Sequence, residues 1–412
     1  MASRTALWKA LLSPVVIVSA LGYFVDIYDL ILFSIVRKKS LLDLGVPEAQ
    51  LLEQGVFLIN MQMIGMLLGG LVWGVLGDKK GRLSVLFGSI LLYSLANIAN
   101  GYVTNLDQYA ALRLIAGIGL AGELGAAVTL VSESMSKETR GYGTTLVASV
   151  GVLGAVLAAW IGDRYSWQTA YIIGGVLGLA LLVLRISVVE SGMFEQVRSQ
   201  QGVQRGDVKL LLSSGERVLR YLACIAVGVP IWFVIGILIT FSPELGKELG
   251  VGGAVKAGRA VMMAYIGLSL GDLASGLLSQ FLRSRRGAIL IFLGITAVFS
   301  MVYLNVQGLS EAQFYGICLL LGVGSGYWAM FVTVASEQFG TNLRATVTTT
   351  APNFVRGAVV PLTLTFQTLS ASGGLTLRQS AWVVGALSLA LAVVGVLRLK
   401  ESFARDLDYL ET

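Results

Sequence analysis

The 412-residue chain contains no histidine and only two cysteines. The first absence removes the commonest metal ligand and the side chain that most readily titrates near neutral pH. The second leaves no disulfide framework, and because Cys224 and Cys318 both fall inside long apolar runs, no metal site is expected there either. Charge is scarce too: 13% of residues are charged against 55% apolar, and the mean hydropathy is +0.78. No water-soluble core of this size needs such a balance, so lipid is the solvent for most of the surface. A Walker-type phosphate loop, a nucleophile elbow and a cleavable signal peptide are all missing. The first apolar run is long, lacks a small-residue cleavage pattern and carries acids at its centre. The sequence therefore gives no support to an enzyme and implies no cofactor, and its net charge of +6 needs no nucleic acid as partner.

What the chain has in abundance is apolar runs able to cross about 30 Å of hydrocarbon, roughly 20 residues each. Twelve lie near 13–36, 55–76, 83–103, 107–133, 142–162, 168–189, 218–241, 260–281, 287–305, 312–336, 345–369 and 379–399. Their length, and the lack of a short alternating pattern, predict helices and not barrel strands. Among the 50 glycines, Gly65, Gly69, Gly117, Gly119 and Gly122 fall on stripes where helix backbones approach closely. Basic residues set the orientation. With the amino terminus inside, 20 of the 30 lysines and arginines lie in cytoplasmic segments and 8 outside, while Arg113 and Arg356 lie within helices. That asymmetry predicts cytoplasmic termini.

The longest polar interval, 190–217, divides the runs six and six. Punctuation then repeats at one offset: Arg82 and Arg286, Glu133 and Glu337, and Arg140 and Arg344 are each 204 positions apart. The expectation is an all-α integral membrane protein of twelve helices in two pseudo-symmetric six-helix bundles. These are 1–189 and 218–412, joined by a cytoplasmic linker at 190–217, with a short cytoplasmic tail after the last helix.

Between the second and third runs stands Gly74-Val75-Leu76-Gly77-Asp78-Lys79-Lys80-Gly81-Arg82. Glu133-x6-Arg140-Gly141 follows the fourth run, and Glu337 to Arg344 follows the tenth. These resemble hallmarks of the major facilitator superfamily, whose loop reads Gly-x-Leu-x-Asp-Arg/Lys-x-Gly-Arg. The resemblance implies that superfamily's fold and alternating-access transport, with Asp78, Arg82, Glu133, Arg140, Arg286, Glu337 and Arg344 as gating charges at the cytoplasmic face. Exposed pairs are individually weak, about 0–1 kcal/mol, which suits contacts that break and re-form. The second-half loop, Arg283-Ser284-Arg285-Arg286-Gly287, lacks the aspartate, so the latch is asymmetric.

A charge at mid-bilayer costs at least about 2.5–3.5 kcal/mol on insertion scales, which makes an intramembrane ionisable residue a functional candidate. Five stand out: Asp26, Asp29, Arg113, Glu123 and Arg356. From the helical rise, Asp26, Glu123 and Arg356 share a depth of roughly 15 Å from the cytoplasmic end. Asp29 and Arg113 come to roughly 24 and 30 Å, close enough in depth to pair.

Gly22-Tyr23-Phe24-Val25-Asp26-Ile27-Tyr28-Asp29-Leu30 is similar to the Gly-x3-Glu-Trp-Tyr/Phe-Asp-Phe element of the metabolite:proton symporter branch, with Asp26 for glutamate and Ile27 for tryptophan. Arg113 to Gly117, Ala121-Gly122-Glu123-Leu124-Gly125 and Thr129-x3-Glu133 look like that branch's arginine-to-Gly-Gly-Glu-x-Gly run. The resemblance implies Asp29 with Arg113 as the proton site; Asp26 and Glu123, at one depth, are the other candidates for coupling. A static buried pair joining helices 1 and 4 is the alternative.

For the solute, Arg356, just after Pro352 and Asn353, offers a planar fork suited to a carboxylate or phosphate. Glu123 and Asp26 at the same depth suit an amine or a proton; alternatively Arg356 simply neutralises Glu123. Tyr23, Tyr28, Asn60, Gln62, Trp232, Tyr327, Trp328 and Asn353 either line the pathway or pack between helices. The reading is a monomeric secondary transporter of the bacterial inner membrane, coupling a small organic anion or zwitterion to protons. Proton-driven export of drugs or siderophores is the competing reading. It is disfavoured because Gly151-Val152-Leu153-Gly154 lacks the proline of the superfamily's antiporter element, Gly-Pro-x2-Gly.

Overall fold

The computed structural model describes residues 11–80, 82–123, 131, 140–190, 208–403 and 411. Among the described residues all regular structure is helical, apart from one isolated bridge between Gly252 and Ser310. In chain order come α1 (Pro14–Asp43), α2 (Leu51–Lys80), α3 (Arg82–Asn100), α4 (Leu106–Leu120), α5 (Arg140–Val152), α6 (Gly154–Arg164) and α7 (Trp167–Glu190). A short α8 (Val208–Leu212) falls within the predicted linker, most of which lies outside the described residues. Then follow α9 (Gly215–Phe233) with a π-helical continuation (Val234–Ile239), α10 (Ser242–Glu248), α11 (Ala257–Leu282), α12 (Arg285–Asn305), α13 (Glu311–Ser325), α14 (Trp328–Glu337), α15 (Thr341–Gly357), α16 (Val359–Ala371) and α17 (Leu377–Arg398).

Among the described residues, nine segments are long and apolar enough to cross a membrane. The remaining three of the twelve runs fall short for local reasons. The third keeps only Val85–Asn100 as an apolar stretch, the fourth continues past Glu123 outside the described residues, and the eleventh is split with a Thr-rich first part.

Breaks interrupt runs that read as continuous in the sequence. The fifth is broken at Leu153, the tenth at Gly326 and Tyr327, and the eleventh at Ala358. In the eleventh, α15 passes through Pro352 and ends at Gly357. Pro361 explains the position, because it cannot donate to the Gly357 carbonyl four residues back. Run seven widens after Pro230 into a π turn, where the Thr240 amide donates to the Ile235 carbonyl at 3.2 Å. Such turns cluster at functional positions.

Helix packing in the first six runs recurs in the last six. α2 on α4 is matched by α11 on α13, α3 on α4 by α12 on α13, α3 on α7 by α12 on α17, and α1 on α7 by α9 on α17. Between the sets, α2 packs on α15 and α16, while α5 and α6 pack on α11, so the same two positions meet with the sets exchanged.

Glycine allows the closest of these approaches. A side chain at Gly154 would strike the Phe24 backbone carbonyl of α1, and one at Gly151 would strike the Tyr23 ring. Gly154→Ala is therefore expected to cost about 1–3 kcal/mol by overpacking, read as a lower thermal midpoint in detergent. Gly316→Ala, with nothing within 4 Å of the added carbon, should not lower it. Equal midpoints for the two variants would refute the packing argument.

Candidate functional site

Asp26 of α1 and Arg356 of α15 meet between the two helix sets. They are 0% and 1% exposed, and Arg356 Nη2 lies 3.7 Å from Asp26 Oδ2. That is an ion pair without a hydrogen bond: neither Asp26 oxygen and none of the three Arg356 nitrogens has a hydrogen-bond partner among the described residues. Taking ions out of water costs several kcal/mol each unless their remaining bonds are satisfied, so this pair keeps strong unused capacity at the junction. The guanidinium carbon sits 5.6 Å from the centroid of the Trp328 ring. Tyr23 lies within electrostatic reach of Arg356, Asp26 and Asp272, and Tyr265 within reach of Arg356. The Trp232 indole nitrogen is buried without a partner among the described residues, and the Trp328 indole lies against the Tyr23 hydroxyl. One turn before Arg356, Asn353 donates to the Ala121 carbonyl at 2.9 Å, and Thr363 donates to Asn60 at 2.8 Å. Both bonds cross between the sets.

The expected pairing of Asp29 with Arg113 is not formed. Arg113 lies over the Phe33 ring, 4.4 Å from its centroid and one turn beyond Asp29, and donates to Gln62 Oε1 and to the Tyr171 hydroxyl at 3.2 Å. The Tyr171 hydroxyl is in turn 2.8 Å from that of Tyr109, which donates to Ser40 at 3.3 Å. Asp29 faces α7 where Gly174 leaves room for its carboxyl, with the Asn97 amide of α3 beside it and no ion pair to an arginine among the described residues. Nor does Arg356 neutralise Glu123. That carboxylate is held by both terminal nitrogens of Arg185 on α7, with Gly22 of α1 packed against the pair.

Other candidates tie helices together within one set. Tyr28 donates to the Ala170 carbonyl at 2.9 Å and Tyr327 to the Val227 carbonyl at 3.0 Å, while Gln62 is engaged by Arg113. Sequence reasoning passes over Arg185, which enters the cytoplasmic tally of basic residues, and over Asp272, which is 1% exposed on α11. The signal for both was their position inside an apolar run.

At the face opposite the termini, Arg37 departs from its expected place in a loop. α1 runs on to Asp43, and Arg37 is 1% exposed. Its Nη2 donates to Glu244 Oε1 and Oε2 at 2.6 and 2.8 Å and to the Thr240 carbonyl at 3.4 Å, and Nη1 donates to the Leu51 carbonyl at 3.3 Å. The Phe241 ring centroid is 4.6 Å away, Gly55 packs on the arginine stem, and Thr240 donates to Ser34 at 3.1 Å. This cluster joins α1 and α2 of the first set to the segment that follows the π turn of the second.

At the other face, Asp78 sits in the last turn of α2, and Arg82 and Arg140 open α3 and α5. Their side chains, and the whole of Glu133, lie outside the described residues. In the second set Glu337 pairs with Arg285 at 3.5 Å and accepts from Ser402 at 2.6 Å, Arg344 Nε donates to the Ser336 carbonyl at 3.3 Å, and Arg286 donates to the Leu397 carbonyl at 3.3 Å. Partial burial pushes the Glu401 carboxyl up, but hydrogen bonds from the Ser284 hydroxyl and the amides of Arg285, Phe403 and Arg286 outweigh it and hold it at about 2. Of the three residues of this half expected to gate, Glu337 is thus bound by Ser402 and the Arg286 amide donates to Glu401, both beyond the last span, in what the sequence shows only as a short tail, while Arg344 donates to Ser336.

A family model of the Major Facilitator Superfamily matches residues 12–361. The niacin transporter NiaP of Acinetobacter baylyi is 27% identical over 359 residues, 80% of each chain. A 3-(3-hydroxy-phenyl)propionate transporter of Escherichia coli is 28% identical over 319 residues, covering 74% of this chain and 76% of that one. The crystal structure of a D-xylose-proton symporter superposes with a TM-score of 0.69 at 17% identity, over 96% of this chain and 99% of the other, a likeness of fold.

Proposed function

Because the chain belongs to the major facilitator superfamily, whose members are transporters and not enzymes, we propose that it is a proton-coupled symporter of a planar aromatic carboxylate, with cytoplasmic termini in a bacterial inner membrane. The observation that carries this reading is Arg356: fully buried between the sets, beside Trp328, its donors unused and its counter-ion 3.7 Å away. A solute carboxylate can engage such a planar fork through two parallel charge-assisted bonds, which Asp26 does not make. Aromatic walls from Trp328, Tyr23 and Tyr265 suit a flat ring. The names of the two bacterial relatives, for niacin and a hydroxyphenylpropionate, support the same solute class.

Coupling follows from competition. When the solute carboxylate takes Arg356, Asp26 is left as an uncompensated buried charge, and taking up a proton removes that cost. Solute and proton are then bound together. The two charge clusters, Arg37 with Glu244 at one face and Arg285 with Glu337 at the other, serve as gates for alternating access.

In proteoliposomes, benzoate and 3-pyridinecarboxylate are expected to enter saturably and faster under an inward proton gradient, while benzamide is not carried. Arg356→Lys keeps the charge but loses the fork, and should raise the half-saturation concentration by about tenfold or more, the scale of one lost charge-assisted bond. Uptake of benzamide at the benzoate rate, or an unchanged value in Arg356→Lys, would overturn the assignment.

A further inference from the structure

The tenth run does not cross as one helix. α13 ends at Ser325, Gly326 turns out of the helix with ψ at 60°, Tyr327 follows at φ −130° and ψ 24°, and α14 starts at Trp328. A helix start inside the membrane exposes N–H groups with no intrahelical acceptor, and no Tyr327 side-chain atom accepts one. The cap comes from another helix: Oδ1 of Asp272 on α11 accepts the Ala329 amide at 3.0 Å. A carboxylate at this point also faces the positive end of the α14 dipole. The contact is set by backbone approach, because Gly271 and Gly326 pack so closely that a side chain on either would strike the other's backbone.

Two facts argue that this cap serves more than the scaffold. The residue 204 positions earlier is Leu68, so the acid is not part of the repeated plan. The first residue of the capped helix is Trp328, whose ring stands beside Arg356 and whose own amide also lies within reach of the Asp272 carboxylate.

Resting on the reading of Arg356 and Trp328 as the solute site, we propose that Asp272 is a positioning residue that fixes the start of α14 and thereby seats the Trp328 ring beside Arg356. It sets affinity for ring-bearing carboxylates without touching the solute and without carrying the coupled proton.

Benzoate transport by the full-length protein in proteoliposomes tests this. Asp272→Ala should raise the half-saturation concentration roughly tenfold, within the range that loss of an N-cap produces, with maximal rate and pH optimum little changed. Asp272→Asn, whose amide oxygen still caps, should restore the wild-type value. Trp328→Ala should show a similar defect, and the double variant Asp272→Ala with Trp328→Ala should be no worse than Trp328→Ala alone, since both act through one ring. An unchanged half-saturation in Asp272→Ala overturns the proposal, as does an Asp272→Asn variant as impaired as the alanine. If the alanine protein does not fold, Asp272→Leu, which keeps the side-chain shape but accepts no hydrogen bond, takes its place with the same expected rise and the same overturning result. If Arg356→Lys and Trp328→Ala both leave benzoate affinity intact, the site assignment itself has failed. If they impair it while Asp272→Ala does not, only the positioning role has.

Discussion

Asp26→Asn is expected to abolish accumulation of solute driven by an inward proton gradient while leaving solute exchange measurable. The asparagine keeps the side-chain shape beside Arg356 but takes no proton, so the loaded carrier no longer moves solute and proton together. Exchange of internal for external solute does not require the empty carrier to reorient and survives. For one-to-one coupling each pH unit supports about tenfold accumulation, so the accumulation ratio should fall from that scale to about one. Removing the carboxylate also removes the competitor for the guanidinium, and affinity in exchange should hold or improve. Asp29→Asn is the control. Its carboxyl lies against Gly174 and forms no ion pair with an arginine among the described residues, so it should retain accumulation. Accumulation and counterflow read side by side in one preparation decide the case. Normal accumulation in Asp26→Asn together with its loss in Asp29→Asn would return the coupling site to Asp29.

The contrast between these two aspartates shows what the sequence reveals and what it hides. Lipid requires about 20 apolar residues per crossing, so the spans were legible, and one 204-residue offset exposed the repeat. Depth was legible as well, because the helical rise converts residue number to height. The azimuth of each side chain was not. Asp29 and Arg113 come to similar heights but leave α1 and α4 toward different neighbours, and the arginine is taken by Gln62 and Tyr171. Glu123 has a partner in Arg185, which sits near the end of an apolar run and reads as a loop charge until the helix is seen to enclose it. Breaks were equally hidden. Gly326 resembles the many packing glycines of the chain, and the new helix shows only in the backbone, where Asp272, 57 residues before Ala329 in sequence, caps its start.

Arg37 yields the other large expected effect. Its guanidinium supplies both bonds to Glu244, one to the Thr240 carbonyl and the contact with Phe241, so it holds the two helix sets together at the face opposite the termini. Breaking a buried pair by removing one partner costs about 3–5 kcal/mol. Glu244 is 21% exposed and regains some hydration, so the lower end applies. A change of that size falls on the closed arrangement alone, and it shifts the balance between closed and open at this face by on the order of 100-fold. Arg37→Ala should therefore favour the arrangement open at this face. With Cys224 and Cys318 replaced by alanine, Ser34→Cys reports on this opening, since Ser34 is 9% exposed beneath Thr240. An impermeant maleimide added outside should label it on the order of 100-fold faster when Arg37→Ala is added. Gradient-driven accumulation should fall, because the carrier returns to the inward arrangement too rarely. Glu244→Gln, which keeps an acceptor for one donor, should produce a smaller shift in the same direction. Reversing both charges should restore part of the protection, because the pair re-forms although the Thr240 and Leu51 carbonyls then lose their donor. Labelling at the original rate in Arg37→Ala would show that apolar packing alone keeps this face shut, and labelling only from the inside would place this face in the cytoplasm.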